Sequence, residues 1–183
     1  AGFIKNAPLG AVIGLVLLSG VTAVRTARQE MPYDQCWRSE QVLAPAVAAQ
    51  LYVEMLEAGY TTVCEFHYLH HAPDGTPYAQ ADAMSQALLR AARDTGIRIT
   101  LLPVLYMTGG FDGRPLSERQ RRFGHDLDAY LRLLDTLRAS ENDTVRIGCA
   151  LHSLRAVPSD AMHEVLTALP AASRIHIHIA EQM

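Results

Sequence analysis

The feature that most restricts this chain's fold is an alternation of two hydrophobic periods from residue 40 onward. Gln41 to Ala58 carries Val42, Val47, Leu51, Met55 and Leu56 at helical spacing, with Gly59 behind it as a stop signal. Thr61 to Phe66 (TTVCEF) is a short β-prone run. Asp82 to Asp94 sets Met84, Leu88, Leu89 and Ala92 on one side of a predicted helix, and Gly96 follows. Ile97 to Tyr106 (IRITLLPVLY) is almost continuously apolar, as a strand covered on both faces must be. After a loop rich in Gly and Asp, Thr108 to Pro115, Ser117 is expected to open a long helix. Ser117 and Gln120 fit a capping box there, and Phe123, Leu127, Tyr130, Leu131, Leu134 and Leu137 line the buried face. Val145 to Leu151 reads as a strand. Ser159 is expected to cap a helix bearing Met162, Val165, Leu166 and Leu169, which Pro170 ends. Ile175 to Ala180 is the last predicted strand.

Strand–helix alternation folds as parallel β/α units with right-handed crossovers. A doubly wound sheet and a (β/α)8 barrel both satisfy it. A complete barrel takes about 250 residues, so a chain of 183 residues is expected to hold part of one. The predicted strands lie near 61–66, 97–106, 145–151 and 175–180. Two regions follow: an atypical apolar segment over 1–36 and a partial barrel domain over 37–183.

Composition narrows the function classes. The chain is 49% hydrophobic and 19% charged, enough apolar matter for a real core. Its net charge is −3 with acids and bases interspersed, so no basic patch points to nucleic acid. Cys36, Cys64 and Cys149 show no CxxC spacing. Cys64 and Cys149 lie in apolar runs and read as buried free thiols, which suits a reducing cytosol. The stretch Pro8 to Val24 is apolar over 17 residues, near the lower limit of roughly 17–20 for a membrane span. Lys5 before it and Val21-Thr22-Ala23 within it imitate a signal peptide. The favoured reading is a buried strand and helix, or an unnatural start, because Gly10, Gly14 and Gly20 interrupt any strong helix. The expectations are a cytoplasmic chain with no membrane partner, and a fragment or processed product, since it begins with Ala. A homodimer is left open.

Active sites of parallel β/α folds lie at the C-terminal ends of the strands. Here those ends read Glu65-Phe66-His67-Tyr68-Leu69-His70-His71, then Tyr106, then His152-Ser153-Leu154-Arg155, then His176-Ile177-His178-Ile179-Ala180-Glu181. Six of the eight histidines fall at these ends, which packing alone does not select. In the last strand Ile175, Ile177 and Ile179 are expected to face helices, and His176 and His178 the barrel interior. A neutral imidazole at a strand tip suits Zn²⁺, and His178 is the candidate; His176 reads as a satisfied interior histidine. Glu181 reaches the same mouth if the chain bends after Ile179, and there it would move a proton. Arg155 offers a planar fork for a carboxylate, against the alternative of a structural ion pair. Tyr68 is a hydroxyl donor or a packed aromatic. Of His67, His70 and His71, one or two are expected near the site.

Taken together, CEFHYLHH over 64–71, HSLRAV over 152–157 and HIHIAEQ over 176–182 resemble the formimidoylglutamate deiminases of histidine degradation. Leu101 to Tyr106 and Arg121-Arg122-Phe123 fit as well, and the resemblance covers about residues 37–183. It implies a zinc-dependent amidohydrolase barrel that hydrolyses N-formimino-L-glutamate, a small anionic amidine, to N-formyl-L-glutamate and ammonia. It also implies His178 as zinc ligand, Glu181 as proton shuttle, and Tyr68, His152 and Arg155 as substrate-binding residues. Two other readings are a deaminase of an aromatic base and an inactive truncated remnant. The family's HxH pair has no counterpart, since no histidine precedes His67. Its later histidine and metal-binding aspartate are expected past residue 183. Weak zinc binding and no turnover are therefore expected of these residues alone.

Overall fold

The computed structural model describes residues 33–179, with side chains from residue 44 onward. Its central strand is the run the sequence made most apolar. β2 (Arg98–Leu105) is buried at every position after the first. β1 (Thr62–His67) pairs with it in parallel, Phe66 opposite Leu102. On its other side β2 pairs in parallel with β3 (Val145–Ile147) and then β4 (Cys149–Ser153). β5 (Ile175–His178) adds to β4, Leu151 opposite Ile177, with an irregularity between Leu151 and Ser153. The strand order is β1-β2-β4-β5, with β3 on β2. A doubly wound sheet reverses its order at a switch point. Here each new strand joins the same edge, so the fold is a partial (β/α)8 barrel.

The helices are α1 (Tyr33–Glu57), α2 (Ala83–Thr95), α3 (Leu127–Arg138) and α4 (Ser159–Ala168). They cover one face of the sheet. Alternate strand residues Ile99, Leu101, Leu105, Ile147, Cys149 and Leu151 form the main core with Tyr52, Leu89, Tyr130, Leu134, Leu137 and Val165, and Ile177 packs against it. The intervening residues Leu102, Val104 and Ala150 form a second cluster with Phe66 and Tyr68 on the opposite, barrel-interior face. Pro103 sits mid-strand, where it removes a ladder donor. The Tyr130 hydroxyl donates to the Pro103 carbonyl at 2.8 Å and so ties α3 to β2. Tyr52 ties α1 to β1 by donating to the Glu65 carboxyl at 3.1 Å. Burial pushes that carboxyl above its ordinary range, and the Tyr52 bond opposes the shift.

Several expectations change. The helix expected from Ser117 begins at Leu127, with Asp126 as its cap accepting from the Ala129 N–H at 2.7 Å. Half of the capping box exists, since Gln120 Oε1 accepts from the Ser117 N–H at 2.9 Å, but it closes a turn that leads into a 3-10 turn, Arg121–Phe123. Gly124 then takes an extended conformation that no helix can contain. The first helix starts at Tyr33 rather than Gln41, and the cap of α4 is Pro158, not Ser159. Cys149 is buried as expected, but Cys64 is exposed, on the interior face of β1, an edge strand among the described residues. No helix among the described residues is long and apolar enough to cross a membrane; Pro8 to Val24 lies outside them.

The predicted strand 145–151 is divided in two at Gly148. Its N–H donates to the Leu101 carbonyl at 2.9 Å. A Cβ there would stand 2.6 Å from the Arg174 carbonyl oxygen and 2.7 Å from Leu102 Cδ2. Gly148→Ala should therefore force the β4–β5 approach apart and cost about 1–3 kcal/mol in urea unfolding, the usual range for overpacking. Unchanged stability would show that the junction has room.

Candidate active site

Parallel register brings the ends of β1, β2, β4 and β5 to one side of the sheet. His152 is buried on the interior face of β4, its Nδ1 2.9 Å from the Ser153 hydroxyl. Tyr68, just past β1, lies 5.6 Å from His152 between ring centroids and 5.0 Å from Phe66. Tyr106, just past β2, meets His152 edge-on at 4.4 Å. His178 ends β5, stacks on Phe66 at 4.4 Å and lies 5.9 Å from His152. Arg155 follows β4; its Nη1 donates to the Tyr106 hydroxyl at 3.2 Å and to the Gly109 carbonyl at 3.4 Å. Tyr68, His152, Arg155 and His178 thus form one continuous group at the strand tips. Glu181 lies outside the described residues. His176 is exposed rather than a satisfied interior histidine, because β5 is an edge strand among the described residues.

Beside this group opens a cavity of about 540 Å³, lined by Gly109, Gly110, Phe111, Asp112, Arg114, Gln120 and Arg155. The loop after β2 builds most of it. Arg114 folds back to donate from Nε to the Gly109 carbonyl at 3.2 Å, and the Gly109 N–H returns a bond to the Arg114 carbonyl at 2.8 Å. A Cβ on Gly109 would meet the Pro115 backbone carbonyl oxygen at 2.8 Å, so the loop's tightness requires glycine there. Sequence reasoning marked this segment only as a loop and gave Tyr106 and Gln120 no chemical role. Its place after a barrel strand was the available signal.

His67, His70 and His71 do not converge on His152 or His178. His67 shares the helix-facing side of β1 with Val63 and Glu65. These three gather with His125: His67–His70 at 5.2 Å, His70–His125 at 4.3 Å and His71–His125 at 5.4 Å between centroids. His70 Nε2 bonds the Val104 carbonyl at 3.1 Å, whereas His67 Nε2, His71 Nδ1 and His125 Nε2 are buried with no hydrogen-bond partner among the described residues. Burial lowers all four: His67 and His125 to about 4, His70 well below its ordinary value, and His71 in the same direction. Neighbouring histidines lower His67, His70 and His125 further, and Asp126 partly opposes this at His125.

His178 is a suitable metal donor by chemistry. Yet among the described residues no group of three or more His, Cys, Asp or Glu side chains is arranged to hold a metal ion. These residues alone do not compose a zinc site.

No protein-family model matches the chain. It is 48% identical over 155 residues to formimidoylglutamate deiminase of Pseudomonas aeruginosa, an alignment covering 84% of this chain and 34% of that protein. The chain therefore spans about a third of the length of this relative, whose homologue it is. Among solved structures it matches an amidohydrolase from Brucella melitensis, 39% identical with a TM-score of 0.71, covering 100% of this chain and 38% of the other. Atrazine chlorohydrolase from Arthrobacter aurescens TC1, complexed with zinc, is 21% identical with a TM-score of 0.59 over 99% of this chain and 37% of its own, a likeness of fold alone.

The histidine cluster makes stability depend on pH with a definite sign. Above about pH 7 the four rings are neutral in the folded and unfolded chain alike, and the cluster's contribution to stability is flat. Below 6.5 the unfolded chain takes up protons that folded His67 and His125 refuse until about 4. Stability should then fall as pH drops through that window, with a slope approaching about two to three protons. Urea unfolding between pH 7.5 and 4.5 measures it, and His125→Gln should remove about one proton of slope. A flat profile would show that the cluster is not buried in solution.

Proposed function

We propose that this chain, a homologue of part of a formimidoylglutamate deiminase with an amidohydrolase fold, carries the substrate-reading side of a hydrolase for N-formimino-L-glutamate. The reaction adds water to the formimino carbon and releases ammonia, leaving N-formyl-L-glutamate, as one step of histidine degradation. The observation that carries this reading is the placement of Arg155. It lines an open cavity, and its Nη1 donates to the Gly109 carbonyl and to the hydroxyl of Tyr106, whose ring meets His152 edge-on at the strand tips. A guanidinium held in this way is preorganised for a carboxylate. A neutral aromatic base has no carboxylate for it.

Position and resemblance together support the following roles. Arg155 binds a carboxylate of the substrate. His152, edge-on to Tyr106 and near Tyr68, bounds the space where the formimino group would lie, and Tyr68 contributes a hydroxyl toward it. Glu181 carries a proton to the departing amine, a role that rests on the sequence resemblance. His178 would serve as one zinc ligand, and the bound ion would supply an activated water. The remaining donors of such a site are not among the described residues. The same reading makes the protein a cytoplasmic one whose small partner is an anionic amidine.

Two measurements test the reading. N-formyl-L-glutamate titrated into the chain should bind saturably. Arg155→Met should weaken that binding by about 10- to 100-fold, the worth of a hydrogen bond to a charged group. Guanine binding that is indifferent to Arg155 would instead favour a base deaminase. The 183-residue chain supplied with zinc should bind it weakly and release no ammonia from N-formimino-L-glutamate. Tight stoichiometric zinc with turnover would show a complete site.

A further inference from the structure

The hydrogen bonds around Tyr106 fix which way its hydroxyl must act. Its ring is 5% exposed, and its oxygen receives two bonds, from Gln120 Nε2 at 2.8 Å and from Arg155 Nη1 at 3.2 Å. The Arg155 guanidinium has donors only. The Gln120 amide can be oriented only one way, because its Oε1 accepts the Ser117 backbone N–H at 2.9 Å, which turns Nε2 toward Tyr106. Both acceptor positions of the phenol oxygen are therefore filled, and what the hydroxyl has left to offer is its proton. The Gly109 carbonyl, which shares Arg155 Nη1 with the phenol, already accepts from that Nη1 at 3.4 Å and from Arg114 Nε at 3.2 Å. Arg155 and Gln120 both line the adjoining cavity.

We propose that Tyr106 is a second donor to the carboxylate read by Arg155, and that Gln120 is the positioning residue that sets the sense of its hydrogen bond. This inference rests on the reading of Arg155 as a carboxylate-binding group. A carboxylate oxygen placed on the guanidinium comes within reach of a hydroxyl only 3.2 Å from Nη1. The pair also forms a selective device. A carboxylate accepts from both donors, whereas a carboxamide sets its own N–H2 group against one of them and leaves it unmatched. Sites that leave buried polar groups unpaired reject the wrong ligand strongly.

The experiment titrates N-formyl-L-glutamate and its two monoamides, N-formyl-L-glutamine and N-formyl-L-isoglutamine, into the chain and its variants. The unaltered chain should bind the diacid at least about tenfold more tightly than one of the monoamides. Tyr106→Phe keeps the ring against His152 and should lose about tenfold for the diacid while changing that monoamide less than about threefold. Gln120→Met leaves the phenol and its packing in place and should narrow the same diacid preference, which tests the proposal even where the phenylalanine variant fails to fold. Diacid affinity unchanged in Tyr106→Phe, or an equal loss for both monoamides, overturns the role of Tyr106. An unchanged preference in Gln120→Met overturns that of Gln120. If Arg155→Met alone weakens the diacid, the carboxylate reading stands without Tyr106. If Arg155→Met has no effect, or the unaltered chain binds none of the three compounds, both fail.

Discussion

The parallel register of four neighbouring strand tracks is the constraint on which the rest depends. Phe66 faces Leu102, Leu105 faces Leu151, and Leu151 faces Ile177. In-register parallel strands end at similar height, so the residues just past them meet. Period-2 alternation then decides the face. His152 and Tyr68 fall on the side of Leu102, Val104 and Ala150, while Leu151 and Ile177 fall among the helices. A one-residue slip of β4 would send His152 into the helix layer and Leu151 into the mouth. The near-complete burial of β2 penalises that slip on both faces, because both are filled.

Burying a strand on both sides leaves polar groups to satisfy away from water. The mid-strand Pro103 shows how this is met. A helix side chain, Tyr130, reaches the Pro103 carbonyl at 2.8 Å and the Ala150 carbonyl at 3.4 Å, bridging β2 and β4. Tyr52 does similar service for Glu65 at the sheet edge. Each of these bonds is worth only about 1 kcal/mol net, but leaving the buried partner unmatched costs about 1–3. Helix α3 therefore takes its place on the sheet by polar matching as well as by Leu134 and Leu137.

Strands were legible in the sequence because their signal is long-range burial written locally. An unbroken run such as IRITLLPVLY can be covered in few ways. The tip residues were legible for the same reason, since polar side chains ending apolar runs have to lie where the strand leaves the core. The helix from Ser117 was misplaced although its capping signal was real. Ser117 and Gln120 do bond, but Gln120 turns its other end to Tyr106, and a tertiary bond took over a local motif. Cys64 and His176 looked interior because alternation reports the face of a strand, not whether another strand covers that face at an edge. Tyr106 gave no chemical signal, as a tyrosine closing an apolar run is indistinguishable from packing until its partners are known.

The same alternation separates two kinds of histidine. His67, on the helix side of β1, is desolvated and held neutral among His70, His71 and His125, where protonation opposes folding. His178, on the interior side of β5, is exposed, stacks against Phe66 and lies near His152. A metal or a substrate needs an imidazole whose lone pair can be approached from the mouth. Neutrality alone does not provide this, since the buried set has it most fully. Strand parity therefore does more than histidine count to separate the two sets, and of the interior-facing His152 and His178 it is His178 that the packing leaves exposed.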